Sequence, residues 1–495
     1  MYFTYGCQTL HEERNMTKML PEYHDLFIGG KWVPSMANHR FEVVSPATEN
    51  VVATVALPSI EDADVAVNAA REAFERGDWS GAPMEHRADV IGRFCDLFEE
   101  RRADWTAAWV SESGPTRTHS DFLNDIVIGI WRDIVETAKR TPLVERRTYP
   151  DGKVDIVSEP YGVAVTITTW NGPALYLVSK VVPALLAGCS VIVKTAVESQ
   201  LTARIIGELA DEAGIPAGVL SVLAAPTDVS AHLVSHPEVD KVSLTGSVTA
   251  GKSVMAACAN NLTPLTLELG GKSPAIIADD IPLDKVLPTL LPAFFMNAGQ
   301  ICVALTRLII PKHRHDEIVA AVVAGLSQVH VGSPENPASV IGPLGTKAQY
   351  EKVLSFIESG KEEGATLVCG GGRPAGLDHG FFVEPTVFTD VKPTMRIARE
   401  EIFGPVLSIM TYEDIDDAVE IANSTPFGLA GTVYAADESL ARSVADRIRS
   451  GSVAINTIGP SLYAPFGGYK ESGFGRENDL EGIREFQQTK SIKIA

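Results

Sequence analysis

The 495-residue chain has little of what marks secreted, metal-stapled or membrane-spanning proteins. Its six cysteines, Cys7, Cys95, Cys189, Cys258, Cys302 and Cys369, are scattered and form no CxxC pair. A disulfide framework and zinc-type ligand spacing are therefore both missing, and no metal is expected. For five of the six the plain reading is a small, reduced thiol in a cytoplasmic protein. No run approaches the roughly 18 apolar residues that cross a bilayer. The opening MYFTYGCQTLHEERN lacks a basic segment followed by an apolar one, so no secretory leader is expected. Residues 1–24 read as a loose extension, with Met16 as an alternative start. Positive charge is also short: 42 Lys and Arg face 63 Asp and Glu, a net charge of −21. Such a surface repels phosphate backbones and disfavours a nucleic-acid partner. An anionic cofactor remains possible, because a few helix N-termini and lysines can hold one locally. No short-period repeat or low-complexity segment is visible.

The periodicity that is present belongs to an α/β protein. Residues 60–112 and 120–139 carry apolar positions at three- and four-residue spacing and read as helical. VDIVSEPYGVAVTITTW changes to a β-branched run. Strands and helices then alternate: LYLVSKVVPALLAG (helix), SVIVKT (strand), ESQLTARIIGELADEAG (helix, stopped by Gly214), GVLSVLAA (strand), SAHLVSHPEV (helix) and KVSLTGS (strand). A helix is expected to open near Thr249 or Gly251. The pattern restarts at SPAIIADD, with a helix expected over DKVLPTLLPAFFMNAGQIC, a strand over TRLIIP and a helix over DEIVAAVVAGLSQV. GGGRPAGLDHG is a turn-rich loop. Apolar strands alternating with helices imply a doubly wound parallel sheet, followed by a second α/β domain from about Gly270.

Four segments can carry chemistry. In LTGSVTAG, Gly246 and Gly251 flank Ser247 between a strand and a helix, a context that cradles phosphate, although it is not G-x-G-x-x-G and reads equally as an ordinary turn. In TTWNGPA, Asn171 lies at the carboxyl edge of a parallel sheet, where ligands bind, and its amide is a candidate oxyanion donor; an Asx turn is the plain alternative. In LELGGKSP, Glu268 sits in an apolar strand, and burial raises a carboxylate toward the range of a general base; a buried, paired acid is the alternative. In FFMNAGQICVALTR, Cys302 lies at an element boundary, where a thiol can be reached and activated; a core cysteine is the alternative.

Together with FIGGKWVPS, VIVKT, NAGQIC, EEIFGPV and PFGGYKESGFGRE, these segments resemble the aldehyde dehydrogenase superfamily in order and spacing over nearly the whole chain. The resemblance implies a Rossmann-like cofactor domain at 25–137 and 157–269, a catalytic domain at 270–479, and a β extension for oligomerisation at 139–156 and 480–495. It implies oxidation of an aldehyde to a carboxylic acid with NAD. Cys302 would be the nucleophile, and the Asn171 amide with the Cys302 N–H the oxyanion hole. Glu268 would be the base that hydrolyses the thioester, with Lys180 supporting it. Relatives that transfer the acyl group to coenzyme A commonly lack that glutamate. Lys194, Ser247, Gly246, Thr245, Trp170, Leu269, Glu401 and Phe403 would bind the cofactor. Many NAD-preferring relatives place an acid three residues after this lysine; here Val197 stands there and Glu198 follows, so NADP stays possible.

Many relatives also carry an aromatic after the catalytic asparagine and another on the next helix. Here those positions are Gly172 and Ser179, which widens the expected tunnel. Leu175, Tyr176, Phe295, Met296, Ile301, Val303 and Tyr463 keep it apolar. A bulky, uncharged aldehyde (terpenoid, medium-chain or aromatic) is expected. Semialdehydes and small aliphatic aldehydes are the alternatives, and a cofactor-independent esterase or a non-catalytic scaffold are remote ones. A cytoplasmic homo-oligomer, dimer or tetramer, is expected.

Overall fold

The computed structural model describes residues 20–494. Most of the extension expected at 1–24 lies outside them, but Glu22–Tyr23 already forms a strand, paired in parallel with Val51–Ala56.

The larger of the two main sheets has eight strands. In spatial order they are Gly473–Phe474, Leu265–Glu268, Lys241–Thr245, Val163–Ile167, Ser190–Thr195, Leu220–Ala224, Asp25–Ile28 and Lys31–Pro34. The five from Leu265–Glu268 to Leu220–Ala224 pair in parallel. Helices on both faces bury VAVTI and KVSLT completely, as parallel strands require. Chain order runs outward from Val163–Ile167 in one direction, then crosses back to Lys241–Thr245 on its other side. That reversal is a topological switch point, and it opens a crevice at the carboxyl ends of these two strands.

The second sheet has seven strands centred on Arg307–Pro311 and Pro274–Ile277. All its pairings are parallel except that of Thr366–Cys369 with Thr386–Thr389. The fold is thus the expected α/β type, with one refinement. Gly473–Phe474, a segment expected with the second domain, closes the edge of the first sheet against Leu267 and Glu268.

A third, antiparallel sheet joins Val144–Tyr149, Gly152–Pro160 and Gln487–Ile494. Val144–Tyr149 is exposed throughout. The run expected to be one long strand up to Trp170 breaks at Tyr161–Gly162, where Gly162 has φ +139°. Residues expected in the extension from 480 onward begin instead as a helix, Asp479–Arg484, packed on the helices Arg117–Arg140 and Val182–Ala187.

The helical region at 60–112 resolves into Ile60–Arg76, Met84–Glu100 and Arg102–Ser113. The first has a reciprocal cap: the Asp62 N–H donates to Ser59 Oγ (3.1 Å) and the Ser59 N–H to Asp62 Oδ2 (2.8 Å). Trp131 packs on Phe94 and Phe98 with centroids 4.9 and 5.8 Å away. Truncating such a fully buried indole costs about 3–5 kcal/mol. No described helix is long and apolar enough to cross a membrane.

Candidate active site

The strand Val163–Ile167 delivers Thr169, Trp170 and Asn171 to the crevice. Asn171 is held in one orientation. Its Oδ1 accepts from Thr169 Oγ1 (2.6 Å) and Tyr176 OH (3.1 Å), and its Nδ2 donates to the Gln300 carbonyl (2.9 Å). An amide nitrogen carries two hydrogens, so one remains for a ligand. Pro173 then starts a short helix, Pro173–Tyr176, and a π turn follows at Leu177–Val181. Pro183 has no N–H to offer the Ser179 carbonyl, and the Val182 N–H donates to Leu177, one residue further back than in an α-helix. This wide turn sends neighbouring side chains to different places. Ser179 faces a cavity, while the fully buried Lys180 ammonium pairs with Glu477 and donates to Ser243 Oγ (3.1 Å).

Cys302 arrives by a different route from the helix expected up to it. The helix Leu283–Phe295 ends at Phe295, and Asn297, Ala298 and Gly299 turn left-handed (φ 48°, 55° and 72°). For alanine this costs about 1–2 kcal/mol, so neighbours must fix it. Asn297 Nδ2 donates to the Asn171 carbonyl (3.2 Å), Gln300 Nε2 to the Asn297 carbonyl (3.0 Å), and the Gly345 N–H to Gln300 Oε1 (2.8 Å). A Cβ on Gly299 would lie 2.3 Å from the Gly404 carbonyl oxygen, so only glycine fits there. The same network that orients Asn171 therefore positions the loop carrying Cys302.

Two cavities meet at this cysteine. One, of about 190 Å³, is lined by Trp170, Gly246, Ser247, Glu401 and Phe403 among others. The second, of about 470 Å³, is lined by Glu268 and by Gly172, Leu175, Tyr176, Ser179, Met296, Ile301, Val303 and Tyr463. Asn171, Tyr176, Thr245, Leu269 and Cys302 border both.

In the smaller cavity Ser247 caps the helix Val248–Ala259, accepting from the Ala250 N–H (3.1 Å), so its own hydrogen is free to donate. This helix opens a residue or more earlier than expected. Glu401 accepts from the Gly271 N–H (3.1 Å). Trp170 meets Phe403 edge-on at 5.8 Å. The buried Thr245 hydroxyl has no protein partner. Lysine, hydroxyls and a helix N-terminus around an apolar slot fit a dinucleotide: donors for phosphate, a carboxylate for ribose hydroxyls, aromatic rings for a flat base.

The electrostatics are those of a dry site. Burial, then the carboxylates of Glu268, Glu401 and Glu477, pushes the Cys302 thiol well above its ordinary value. The resting nucleophile is therefore protonated and needs a base. Both carboxylate oxygens of Glu268 are buried without a hydrogen-bond partner among the described residues. Burial and the nearby Glu477 raise this carboxyl well above the usual range, against the opposing pull of Lys180. A group so placed can take a proton near neutral pH.

Three sequence-derived candidates stand apart from the cavity walls. Lys180 lies behind Glu477. Lys194 is the penultimate residue of the strand Ser190–Thr195 and is partly buried, its ammonium lowered by burial to about 8. Phe295, expected in the tunnel, packs instead into the core of the second domain, because the helix ends there and the chain turns away. Sequence reasoning missed the clamp around Asn171 (Thr169, Tyr176 hydroxyl, Gln300), the Glu477 carboxylate, and Gln349 and Lys352 in the smaller cavity. It also missed His119, Phe122, Leu123 and Ile126, which line the larger one from the helix Arg117–Arg140. The last group had a visible signal: apolar residues on one stripe at 122, 123 and 126, with Phe122 half exposed.

The aldehyde dehydrogenase family model matches residues 32–492. The geranial dehydrogenase of Castellaniella defragrans is 41% identical over 478 residues, covering 96% of this chain and 100% of that one. An aldehyde dehydrogenase of Mycobacterium tuberculosis, solved with NAD+, superposes with a TM-score of 0.94 at 43% identity, covering 96% of this chain and 99% of that one. Aldehyde dehydrogenase C of Pseudomonas syringae, solved as a mutant with NAD+ and octanal, gives 0.92 at 40% identity, covering 95% and 96%. Further relatives are named as aminoaldehyde and betaine aldehyde dehydrogenases.

Proposed function

The chain belongs to the aldehyde dehydrogenase family, and from that premise we propose that it oxidises a bulky, apolar aldehyde to its carboxylic acid with NAD, through a thioester on Cys302. The observation that carries this reading is the meeting of the two cavities at Cys302 and Asn171.

The geometry supports the following roles. Glu268, raised by burial, takes the Cys302 proton as the sulfur attacks the carbonyl carbon. The free Asn171 hydrogen and the Cys302 N–H stabilise the developing oxyanion. NAD, when bound, supplies the hydride acceptor that converts the tetrahedral adduct to a thioester. Glu268 passes that proton on to solvent; its restored carboxylate then removes a proton from water, which attacks the thioester carbonyl and releases the acid and the Cys302 thiolate, and Glu268 returns the proton to the sulfur. Lys180 holds the charge of Glu477 in the buried pair behind Glu268 and limits how far that base is raised. On the cofactor side, Ser247 and the helix behind it would hold the pyrophosphate, Glu401 the nicotinamide ribose, Trp170 and Phe403 the ring, and Lys194 the adenosine ribose. NAD as the cofactor is supported by the relatives solved with NAD+.

The apolar substrate class is supported by the larger cavity. With glycine at 172 and serine at 179, it is walled by Phe122, Leu123, Ile126, Leu175, Met296 and Leu462, and among the described residues no arginine or lysine borders it. A carboxylate-bearing semialdehyde would find no cation there. The geranial and octanal names among the relatives agree with this class. The exposed three-stranded sheet, with its open edge at Val144–Tyr149, is the surface we assign to subunit pairing in a cytoplasmic homo-oligomer.

The test is NADH formation by purified protein with geranial, octanal, benzaldehyde, acetaldehyde, betaine aldehyde and succinic semialdehyde, with NAD and NADP in parallel and Cys302→Ala as control. Highest kcat/KM on the first three with NAD supports the reading. Preference for betaine aldehyde or the semialdehyde overturns the substrate class.

A further inference from the structure

Away from the active site, two packed helices of the first domain bring Asp64, His232 and His236 together. Asp64 lies on Ile60–Arg76, His232 on Thr227–Ser235, and His236 caps the latter's C-terminus. A spacing of four puts both imidazoles on one side of that helix. Their rings are 5.6 Å apart and 80° from parallel. The three donor atoms lie within 4.8 Å of one another. His232 Nε2 is 2.5 Å and His236 Nε2 3.6 Å from the same oxygen, Asp64 Oδ1. Two ligands on a tetrahedral zinc, each at about 2.0–2.1 Å, sit roughly 3.3 Å apart. The His232 contact thus has to open slightly, while the His236 distance is already near that value. The side chains are 31%, 14% and 43% exposed for His232, His236 and Asp64, which leaves a face open to water. Arg71, two turns along from Asp64, is occupied by Glu238 (3.1 Å) and Asp240 (2.5 Å) and does not compete for this carboxylate.

We propose that Asp64, His232 and His236 form a binding site for a divalent transition-metal ion of the zinc, cobalt and nickel class, with water completing the coordination. Two imidazoles and one carboxylate select these ions over magnesium or calcium, which require mostly oxygen ligands. His236 Nδ1 accepts from the Glu238 N–H (3.1 Å), so without metal the ring proton sits on Nε2. Coordination through Nε2 moves that proton to Nδ1 and breaks the Glu238 contact, a cost included in the binding affinity. The ion ties the two helices together without touching Cys302. Sequence spacing conceals the site, because Asp64 and His232 are 168 residues apart.

The experiment uses the full-length chain without an affinity tag and with Cys302→Ser, which removes the active-site thiol as a rival ligand. Zinc chloride is titrated calorimetrically, and cobalt chloride by visible absorption. The expected result is one ion per chain and a zinc-dependent rise in Tm that excess magnesium does not reproduce. His232→Ala/His236→Ala should weaken binding by about 100-fold or more, comparing with the tenfold to hundredfold loss typical when only an outer-shell partner is removed. Should that variant lose cooperative unfolding, Asp64→Asn and His232→Gln carry the same comparison singly. Unchanged zinc affinity in folded variants, or no binding below millimolar zinc, overturns the proposal.

Discussion

The orientation of Asn171 makes a quantitative prediction. Thr169 and Tyr176 both donate to Oδ1, which fixes Nδ2 toward the Gln300 carbonyl and leaves one hydrogen for the substrate oxygen. Asn171→Ala deletes that donor. Loss of one oxyanion-hole donor costs about 2.7–4 kcal/mol, or roughly 10²–10³ in kcat. Asn171→Asp is the sharper probe. It keeps the size and the two bonds from Thr169 and Tyr176, but places an oxygen where Nδ2 now lies 2.9 Å from the Gln300 oxygen. Acceptor then faces acceptor, with no donor left for the oxyanion, so the loss should equal or exceed that of the alanine variant. Tyr176→Phe removes one of the two anchors and should lower kcat by about fivefold, the effect of one ordinary hydrogen bond of about 1 kcal/mol. The assay is NADH formation under steady state and in the first turnover, which separates chemistry from product release. An Asn171→Asp variant within tenfold of wild type would refute the assignment of Nδ2 as the donor.

Glu268 should impose an acid limb on thioester hydrolysis, since it must be deprotonated to act; the rate should fall as pH drops through a value above the ordinary carboxylate range, and Glu268→Gln should abolish that limb. The same raised carboxyl binds more protons folded than unfolded, so folding stability falls as pH rises from the unfolded carboxyl pKa toward the folded one. Glu268→Gln should therefore raise Tm more at alkaline than at acid pH, as thermal scans at both would show. Lys180→Met leaves Glu477 buried without its partner and should cost about 3–5 kcal/mol by chemical denaturation, with much of this restored in Lys180→Met/Glu477→Gln. Ser179→Trp fills part of the larger cavity and should lower kcat/KM for geranial while sparing acetaldehyde; equal losses on both would count against the wide-tunnel account.

The features legible in the sequence were those set by local pattern. Alternating strands and helices imply the doubly wound sheet, WNGPA sets Asn171 at its carboxyl edge, and LELGGKSP sets Glu268 in an apolar strand. What escaped was set by tertiary contact. The left-handed turn at Asn297–Gly299 has no signal in FFMNAGQIC apart from its asparagine and glycine, because Ala298 adopts that conformation only under the grip of Asn171, Gln300 and Gly345. Local pattern therefore carries the helix too far and points Phe295 into the tunnel, whereas it packs in the core. The π turn at Leu177–Val181 precedes Pro183, a visible residue, but its effect on Ser179 and Lys180 emerges only in three dimensions. Glu477 reaches Lys180 from 297 residues away, a pairing that no periodicity reports.

The most direct test of the central claim is to trap the covalent intermediate. Wild-type protein is mixed with NAD and geranial, quenched in acid within the first turnover and examined by intact and peptide mass spectrometry. The account predicts a geranoyl group on the peptide carrying Cys302, formed together with one equivalent of NADH and absent from Cys302→Ala. NADH formation without any acyl adduct on Cys302, or an adduct on another residue, would contradict it.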